Sequence, residues 1–164
     1  MHASGYRLWH GEAPRSFAGL MAVYESNYRR LMLLAPGLDG LERAVSRVPG
    51  CLDLHLRVLE RHRYTTFLHL TYWFEQPDGS VRPDPDLHIR MYHDARLAEV
   101  HSCLRPQRRG GEADGCSLAR RWQMNRFLEK WLAYCLAQGH GFPPAGRTVA
   151  GEPAFGRAAD PAVP

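Results

Sequence analysis

In two segments between residues 52 and 74, leucines and other largely apolar residues alternate with polar ones. The segment CLDLHLRVLE (51–60) alternates leucines with Asp53, His55 and Arg57, and YTTFLHLTYWF (64–74) repeats the pattern. Because successive side chains of a β-strand point to opposite faces, a period of two predicts strands with one apolar and one polar face. Such alternation is typical of antiparallel sheets that are covered on one side only.

Two more strands follow a polar segment. EQPDGSVRPDPD (75–86) is expected to be a loop, because Pro, Asp and Gly favour turns. In the third strand, Leu87, Ile89 and Met91 share one face, and a short fourth strand is expected at about 97–102.

Apolar residues at steps of three and four predict two amphipathic helices that flank the strands. The first follows Ser16, a suitable N-cap, and ends before APG at 35–37. The second covers about 122–138 and ends at Gly139. A short helix is also expected at about 38–47.

The sequence therefore predicts an α+β fold. We expect a single antiparallel four-stranded meander sheet, with an N-terminal and a C-terminal amphipathic helix packed on its leucine-rich face. A flexible arm is expected at 1–15, one domain at 16–141 and a disordered tail rich in Pro, Ala and Gly at 142–164. Within the domain, residues 103–117 are expected to form a long loop.

Charge and cysteine content favour no particular chemistry. The net charge of +4 permits an anionic partner without requiring one. The four cysteines form no Cys-x-x-Cys pair, so we expect free thiols. His101, Cys103 and Cys116 fit no standard zinc spacing, so neither a metal nor a cofactor is expected. No apolar run is long enough for a membrane helix, and the first thirty residues lack a signal-type apolar core, which predicts a cytoplasmic protein.

The segment HIRMYHDARLAEVH (88–101) contains several residues that could carry chemistry. If Asp94-Ala95 is a two-residue turn, Arg90 lies opposite Glu99 and His88 opposite His101. The opposed Arg90 and Glu99 then form an ordinary cross-strand pair. His93 and Asp94 are adjacent, so they point to opposite sides unless the turn breaks the alternation.

Extending this register predicts a polar face with aromatic residues on it. With Leu70 opposite Met91, one row contains Asp53, Thr71, Arg90 and Glu99. A polar surface with exposed aromatic rings is typical of a binding site, although other chain segments could equally cover it. The candidate ligand-binding residues are Arg90, His69, His88, Tyr92, Glu99, Phe67 and Trp73.

Four blocks of the chain resemble the YqiB-like family of small bacterial proteins. They are YESNYRRLMLLAP (24–36), RYTTFLHL (63–70), IRMYHDARLAEV (89–100) and QMNRFLEKWLAYCLAQG (123–139). The resemblance implies a cytoplasmic bacterial protein from a family without an established activity. ARRWQMN (119–125) departs from the family, whose members tend to have an acidic-basic run before this helix. The polar residues that match the family pattern are Asn27, Arg63, Arg90, His93, Asp94, Glu99 and Asn125.

Three functions are compatible with these residues. The preferred one is a non-catalytic binding module whose polar-aromatic sheet face contacts a protein partner or a small anionic ligand. The second is a nucleotide or phosphoester hydrolase that uses Arg90, His93 and Asp94, although the chain has no Walker-type phosphate loop, His-Glu-x-x-His motif or nucleophile elbow. The third is weak RNA binding, because aromatic residues on a sheet can stack on bases.

Overall fold

The computed structural model describes residues 16–101 and 118–144. The expected arm, the expected long loop and most of the expected tail lie outside these ranges. The described elements are α1 (Phe17–Leu34), a 3-10 helix (Leu38–Gly40), β1 (Arg43–Ser46), β2 (Leu54–Arg61), β3 (Thr65–Thr71), β4 (Trp73–Glu75), β5 (Val81–Pro83), β6 (Leu87–Tyr92), β7 (Leu97–Val100) and α2 (Leu118–Ala137).

Five of these strands form one antiparallel sheet, in the order β1-β2-β3-β6-β7. Strands β4 and β5 pair with each other in a separate two-stranded sheet. The predicted α+β fold with an antiparallel sheet and two helices is confirmed. The prediction of a single four-stranded meander is wrong, because the main sheet has a fifth strand and the chain leaves that sheet after Thr71 to form a second one.

The additional strand, β1, lies in the second half of the short helix expected at 38–47. Only Leu38–Gly40 is helical, as a single 3-10 turn. Residues Arg43–Ser46 instead pair with β2, and Ser46 lies opposite Leu54. The backbone of β2 offers an edge of unpaired hydrogen-bonding groups, and pairing with it outweighs the weak helical preference of so short a segment.

The second sheet lies in the segment that the sequence indicates as a loop. Trp73 leaves the main sheet and pairs with Pro83, and Glu75 pairs with Val81. Gly79, with φ of 81°, allows the tight turn between the two strands. Trp73 therefore does not extend β3, although the alternation of the sequence continues through it.

Both helices pack on the leucine-rich face of the main sheet, as predicted. Ser16 caps α1, since its side-chain oxygen accepts a hydrogen bond from the Gly19 N–H at 3.1 Å. No helix within the described ranges is long and apolar enough to cross a membrane. The fully buried leucines are Leu31 and Leu34 of α1, Leu128 and Leu132 of α2, and Leu54, Leu56, Leu68 and Leu70 of the sheet.

Two buried asparagines join the helices to the sheet. Asn27 of α1 donates a side-chain hydrogen bond to the backbone oxygen of Asn125 at 3.3 Å. The side-chain oxygen of Asn125 accepts the Val100 N–H of β7 at 2.9 Å. Because buried polar groups need partners, these contacts fix the positions of α1, α2 and β7 relative to one another. Both asparagines thus have a structural role, in which they bind helix and strand backbone.

The residues after α2 fold back against α1 and β1. His140 is buried, and its Nδ1 lies 3.1 Å from the Ser46 hydroxyl. Phe142 is 2% exposed, and its N–H donates to the backbone oxygen of Leu34. Phe142 therefore belongs to the core, whereas the sequence places it at the start of the tail. A single aromatic residue after Gly141 forms no periodic pattern that would reveal its burial.

The strand register differs in part from the prediction. Strands β6 and β7 pair as predicted, with Arg90 opposite Glu99, although four residues (93–96) form the turn instead of two. The predicted pairing of Leu70 with Met91 is wrong, since Leu70 lies opposite Leu87. Thr71 lies opposite His55 and not in a row with Asp53. Both shifts are even in number, so the side chains up to Val58 on β2 and those of β3 and β6 opposite them keep their predicted faces. A β-bulge between Val58 and Glu60 changes the register beyond that point.

We predict that Leu70→Asp abolishes cooperative folding. Leu70 is fully buried at the centre of the core, and an unpaired buried carboxylate costs several kcal/mol out of a total stability of about 5–15 kcal/mol. Thermal unfolding followed by circular dichroism tests this. Leu59→Asp is the matched control, because Leu59 is 40% exposed on β2 and should tolerate the charge. A cooperative transition in Leu70→Asp at the temperature of the unmodified protein would contradict the assignment of the apolar face.

Candidate functional site

The face of the main sheet opposite the helices carries a set of half-exposed polar and aromatic side chains. The register places His69 directly opposite His88, and Phe67 opposite Arg90. Arg90 in turn lies opposite Glu99 on β7. We call this surface the polar face. It brings together six of the seven predicted ligand-binding residues, which are Phe67, His69, His88, Arg90, Tyr92 and Glu99.

The most ordered cluster on the polar face consists of His69, Asp86 and His88. The two imidazole rings stack with centroids 4.6 Å apart and planes 21° from parallel. Both Nε2 atoms approach the same carboxylate oxygen of Asp86, at 2.8 Å from His69 and 3.2 Å from His88. One acceptor is therefore shared by two rings that point in the same direction.

The surroundings of His69 affect its protonation. Burial lowers its pKa, and the nearby His88 and Arg57 lower it further, while the hydrogen bond and charge of Asp86 raise it. Arg57 lies opposite His69 on β2 and is exposed. The neutral imidazole of His69 is thus favoured at neutral pH, and neutral imidazole is the form that donates a lone pair.

A second cluster, formed by Arg90, Tyr92 and Glu99, connects β6 and β7 to α2. Arg90 places its guanidinium carbon 4.3 Å from the ring centroid of Phe67, a cation–π contact. It also donates to the Tyr92 hydroxyl at 3.3 Å, and that hydroxyl donates to Glu99 at 2.9 Å. Glu99 is only 13% exposed at its side chain and forms an ion pair with Arg121 of α2 at 3.5 Å. The predicted pair of Arg90 and Glu99 is thus bridged by hydrogen bonds through the Tyr92 hydroxyl.

The turn residues His93 and Asp94 lie apart from these clusters. Nε2 of His93 is 2.8 Å from the Thr66 hydroxyl, and Nδ1 is 3.2 Å from the Tyr28 hydroxyl of α1. Both ring nitrogens are therefore engaged on the helix side of the sheet, while Asp94 is exposed in the turn. The structure does not bring Arg90 and His93 together, since Arg90 contacts Phe67 on the polar face.

Trp73 and His101 border the polar face at the end where His88 lies. From its position in the second sheet, Trp73 contacts the ring of His69 edge-on, with the ring centroids 6.3 Å apart. His101 contacts Phe67 edge-on at 5.5 Å. Its backbone N–H donates to the His88 oxygen, so the expected opposition of His88 and His101 is also found. Burial lowers the pKa of His101, and the Arg90 guanidinium lowers it further.

A cleft opens beside His88 and His101, between the segment that precedes β6 and the beginning of α2. Its volume is about 450 Å³, within the usual range of small-molecule sites. Two arginines and two histidines line it together with two carboxylates. The lining residues are Arg82, Pro83, Asp84, Pro85, Asp86, His88, Val100, His101, Arg120 and Met124.

Reasoning from sequence missed Asp86, Arg82 and the cleft. Asp86 lies in a Pro- and Asp-rich stretch that favours a loop, so the sequence indicates a turn residue and not a site residue at this position. The signal that was present is the spacing Asp86-x-His88, because residues two apart in an extended chain lie on the same side. His69 could join this pair only through the correct register of β3 and β6.

Comparisons with known proteins agree with the resemblance seen in the sequence. A family model described as "protein of unknown function (DUF1249)" matches residues 30–141. The chain is 31% identical over 133 residues to "uncharacterized protein YqiB" of Escherichia coli strain K12 and of Escherichia coli O157:H7. These matches cover 75% of this chain and 90% of each relative. No solved structure matches the chain. The region matched by the family model contains the whole polar face.

We predict that Tyr92→Phe destabilises the fold by about 1 kcal/mol, the usual net contribution of a hydrogen bond. The change removes the hydroxyl that joins Arg90 to Glu99 and leaves the ring in place. Urea denaturation monitored by tryptophan fluorescence gives the free energy of unfolding. Tyr64→Phe is the control, since Tyr64 is half exposed in the same sheet region. Equal stability of Tyr92→Phe and the unmodified protein would exclude this bridge.

Proposed function

We propose that the chain, which belongs to the DUF1249 family of proteins of unknown function, is a binding module for a small anionic ligand. The ligand site is the cleft at the margin of the polar face. The observation that carries this proposal is that two arginines, Arg82 and Arg120, line one cleft together with His88 and His101. A protein partner on the same face and a cytoplasmic location stay predictions.

The arginine donors around the cleft suit an anion. Arginine presents paired N–H donors that match carboxylate and phosphate oxygens. The carboxylates of Asp84 and Asp86 oppose this preference, but Asp86 already accepts a hydrogen bond from His69 and lies 3.2 Å from Nε2 of His88. Exposed Arg57, opposite His69, adds further positive charge to the polar face. A phosphate- or carboxylate-bearing ligand is therefore the class that fits.

The contacts of His93 support binding more than hydrolysis. A general base needs a ring nitrogen that reaches the substrate. Both nitrogens of His93 instead contact hydroxyl groups, of Thr66 and Tyr28, on the side of the sheet away from Arg90. Arg90 and His93, on which the hydrolase alternative depends, thus do not face one common substrate site.

The contacts of Phe67 also give little support to RNA binding. A stacking platform needs an open ring face. The Phe67 ring is covered by the Arg90 guanidinium and flanked by the edge of His101. Tyr92 is held by its hydrogen bonds to Arg90 and Glu99. Weak, salt-sensitive RNA binding stays a prediction from the sequence.

Isothermal titration calorimetry with pyrophosphate and ADP tests the proposed function. We expect the full chain to bind at least one of these probes, with EDTA present so that no metal takes part. Arg82→Ala should weaken binding about tenfold or more, because each charge-assisted hydrogen bond contributes about 1.5–3 kcal/mol and tenfold corresponds to about 1.4 kcal/mol.

The matched control is Arg29→Ala. Arg29 is an exposed arginine of α1, and it lines a groove between the two helices and not the cleft. Its loss changes the net charge as Arg82→Ala does, so the affinity should stay within about twofold if the cleft is the site. Failure of both probes to bind, or equal affinities of Arg82→Ala and Arg29→Ala, would refute the proposal.

A further inference from the structure

We propose that His69, Asp86 and His88 form a binding site for one divalent transition-metal ion of the zinc class. The inference goes beyond the anion site and does not rest on it. Among the histidine, cysteine and carboxylate side chains of the described residues, these three form the group that lies close enough together to share one ion. The ion would lie on the polar face at the margin of the cleft, because Asp86 and His88 belong to both.

The positions of the ligand atoms are close to those of a metal site. Each residue offers one ligand atom, and all three atoms lie within 4.8 Å of one another. Ligands of a tetrahedral ion with bonds of about 2.0–2.2 Å lie about 3.3–3.6 Å apart. The two contacts between the imidazoles and Asp86, at 2.8 and 3.2 Å, would therefore lengthen slightly on metal binding. The distance between the ligand atoms of His69 and His88, at most 4.8 Å, would shorten where it exceeds this spacing.

The backbone holds the two imidazoles in this arrangement. His69 and His88 are cross-strand partners, and their rings stack, so both Nε2 atoms face the same region. The side chains are only 13% and 24% exposed, and Trp73 contacts the edge of His69. Asp86 is 48% exposed at its side chain and can rotate to admit an ion. Two fixed ligands and one adjustable ligand make binding possible without movement of the sheet.

The donor set selects the class of metal. Two imidazoles and one carboxylate suit zinc, cobalt and related ions, whereas magnesium and calcium prefer sites made of oxygen atoms alone. Three protein ligands on a four-coordinate ion leave one position for water or for a further ligand. This position would be next to the cleft that the side chain of Asp86 lines.

The competing explanation is that Asp86 only orients the two histidines as a hydrogen-bond acceptor. Asp86→Asn distinguishes the two roles. The amide keeps an acceptor oxygen at the same position, so a purely structural cluster should keep its stability. A neutral amide is a poor ligand for zinc or cobalt, so a metal site should lose most of its affinity.

The experiment is a titration of the full, reduced chain with Co²⁺ alone, in a buffer without phosphate or chelator. Calorimetry gives the stoichiometry, and the visible d–d absorption of Co²⁺ reports its coordination. We expect one ion per chain, with affinity reduced at least tenfold in Asp86→Asn and in His88→Ala. Melting curves without metal should show that Asp86→Asn remains folded, which keeps the test valid if His88→Ala does not fold.

Glu60→Gln is the matched control. Glu60 lies 3.4 Å from the imidazole of His62 in an exposed carboxylate–histidine pair at the end of β2. Affinity should be unchanged in this variant. Absence of Co²⁺ binding in the full chain, equal binding by Asp86→Asn, or equal losses in Asp86→Asn and Glu60→Gln would each overturn the proposal. Because neither pyrophosphate nor ADP is present, these outcomes are independent of the titrations with those two probes.

Discussion

Strands β3 and β6 pair so that Leu68 meets Ile89 and Leu70 meets Leu87 on the apolar side of the main sheet. The same backbone hydrogen bonds place His69 opposite His88 on the other side. Burial of the leucines against both helices supplies the free energy that holds these two central strands together, at about 1.5–3 kcal/mol for each fully buried side chain. The positions of the polar residues follow from a pairing that the apolar residues stabilise.

Two kinds of interaction follow from this pairing on the polar face. Toward β7, the Arg90 guanidinium lies over the Phe67 ring and is joined to Glu99 through the Tyr92 hydroxyl. The charge of Arg90 therefore interacts mainly with groups of the protein itself. Toward β5, the stacked histidines share the Asp86 carboxylate beside a cleft with two further arginines. The first cluster strengthens the sheet, and the second supplies the groups from which we infer anion and metal binding.

The amino-acid sequence predicts which side of each strand is buried better than it predicts which residues face each other. Alternation with a period of two assigns Leu70 to the core and His69 to the polar face in any register that differs by an even number. The pairing of Arg90 with Glu99 was predictable because a short turn connects β6 and β7. No short turn fixes the register of β3 with β6, because the two strands of the second sheet lie between them in the chain. The place of His69 beside Asp86 and the cleft both depend on that connection, so neither could be predicted.

A direct measurement of the pairing of β3 with β6 tests this account at its centre. In a sheet, backbone protons of directly opposed residues are close enough for nuclear Overhauser effects in isotopically labelled protein. We expect cross-strand effects between Leu68 and Ile89 and between His69 and His88. Cross-strand effects between Leu70 and Met91 would instead show the shifted register, which separates His69 from His88 and contradicts the proposed site.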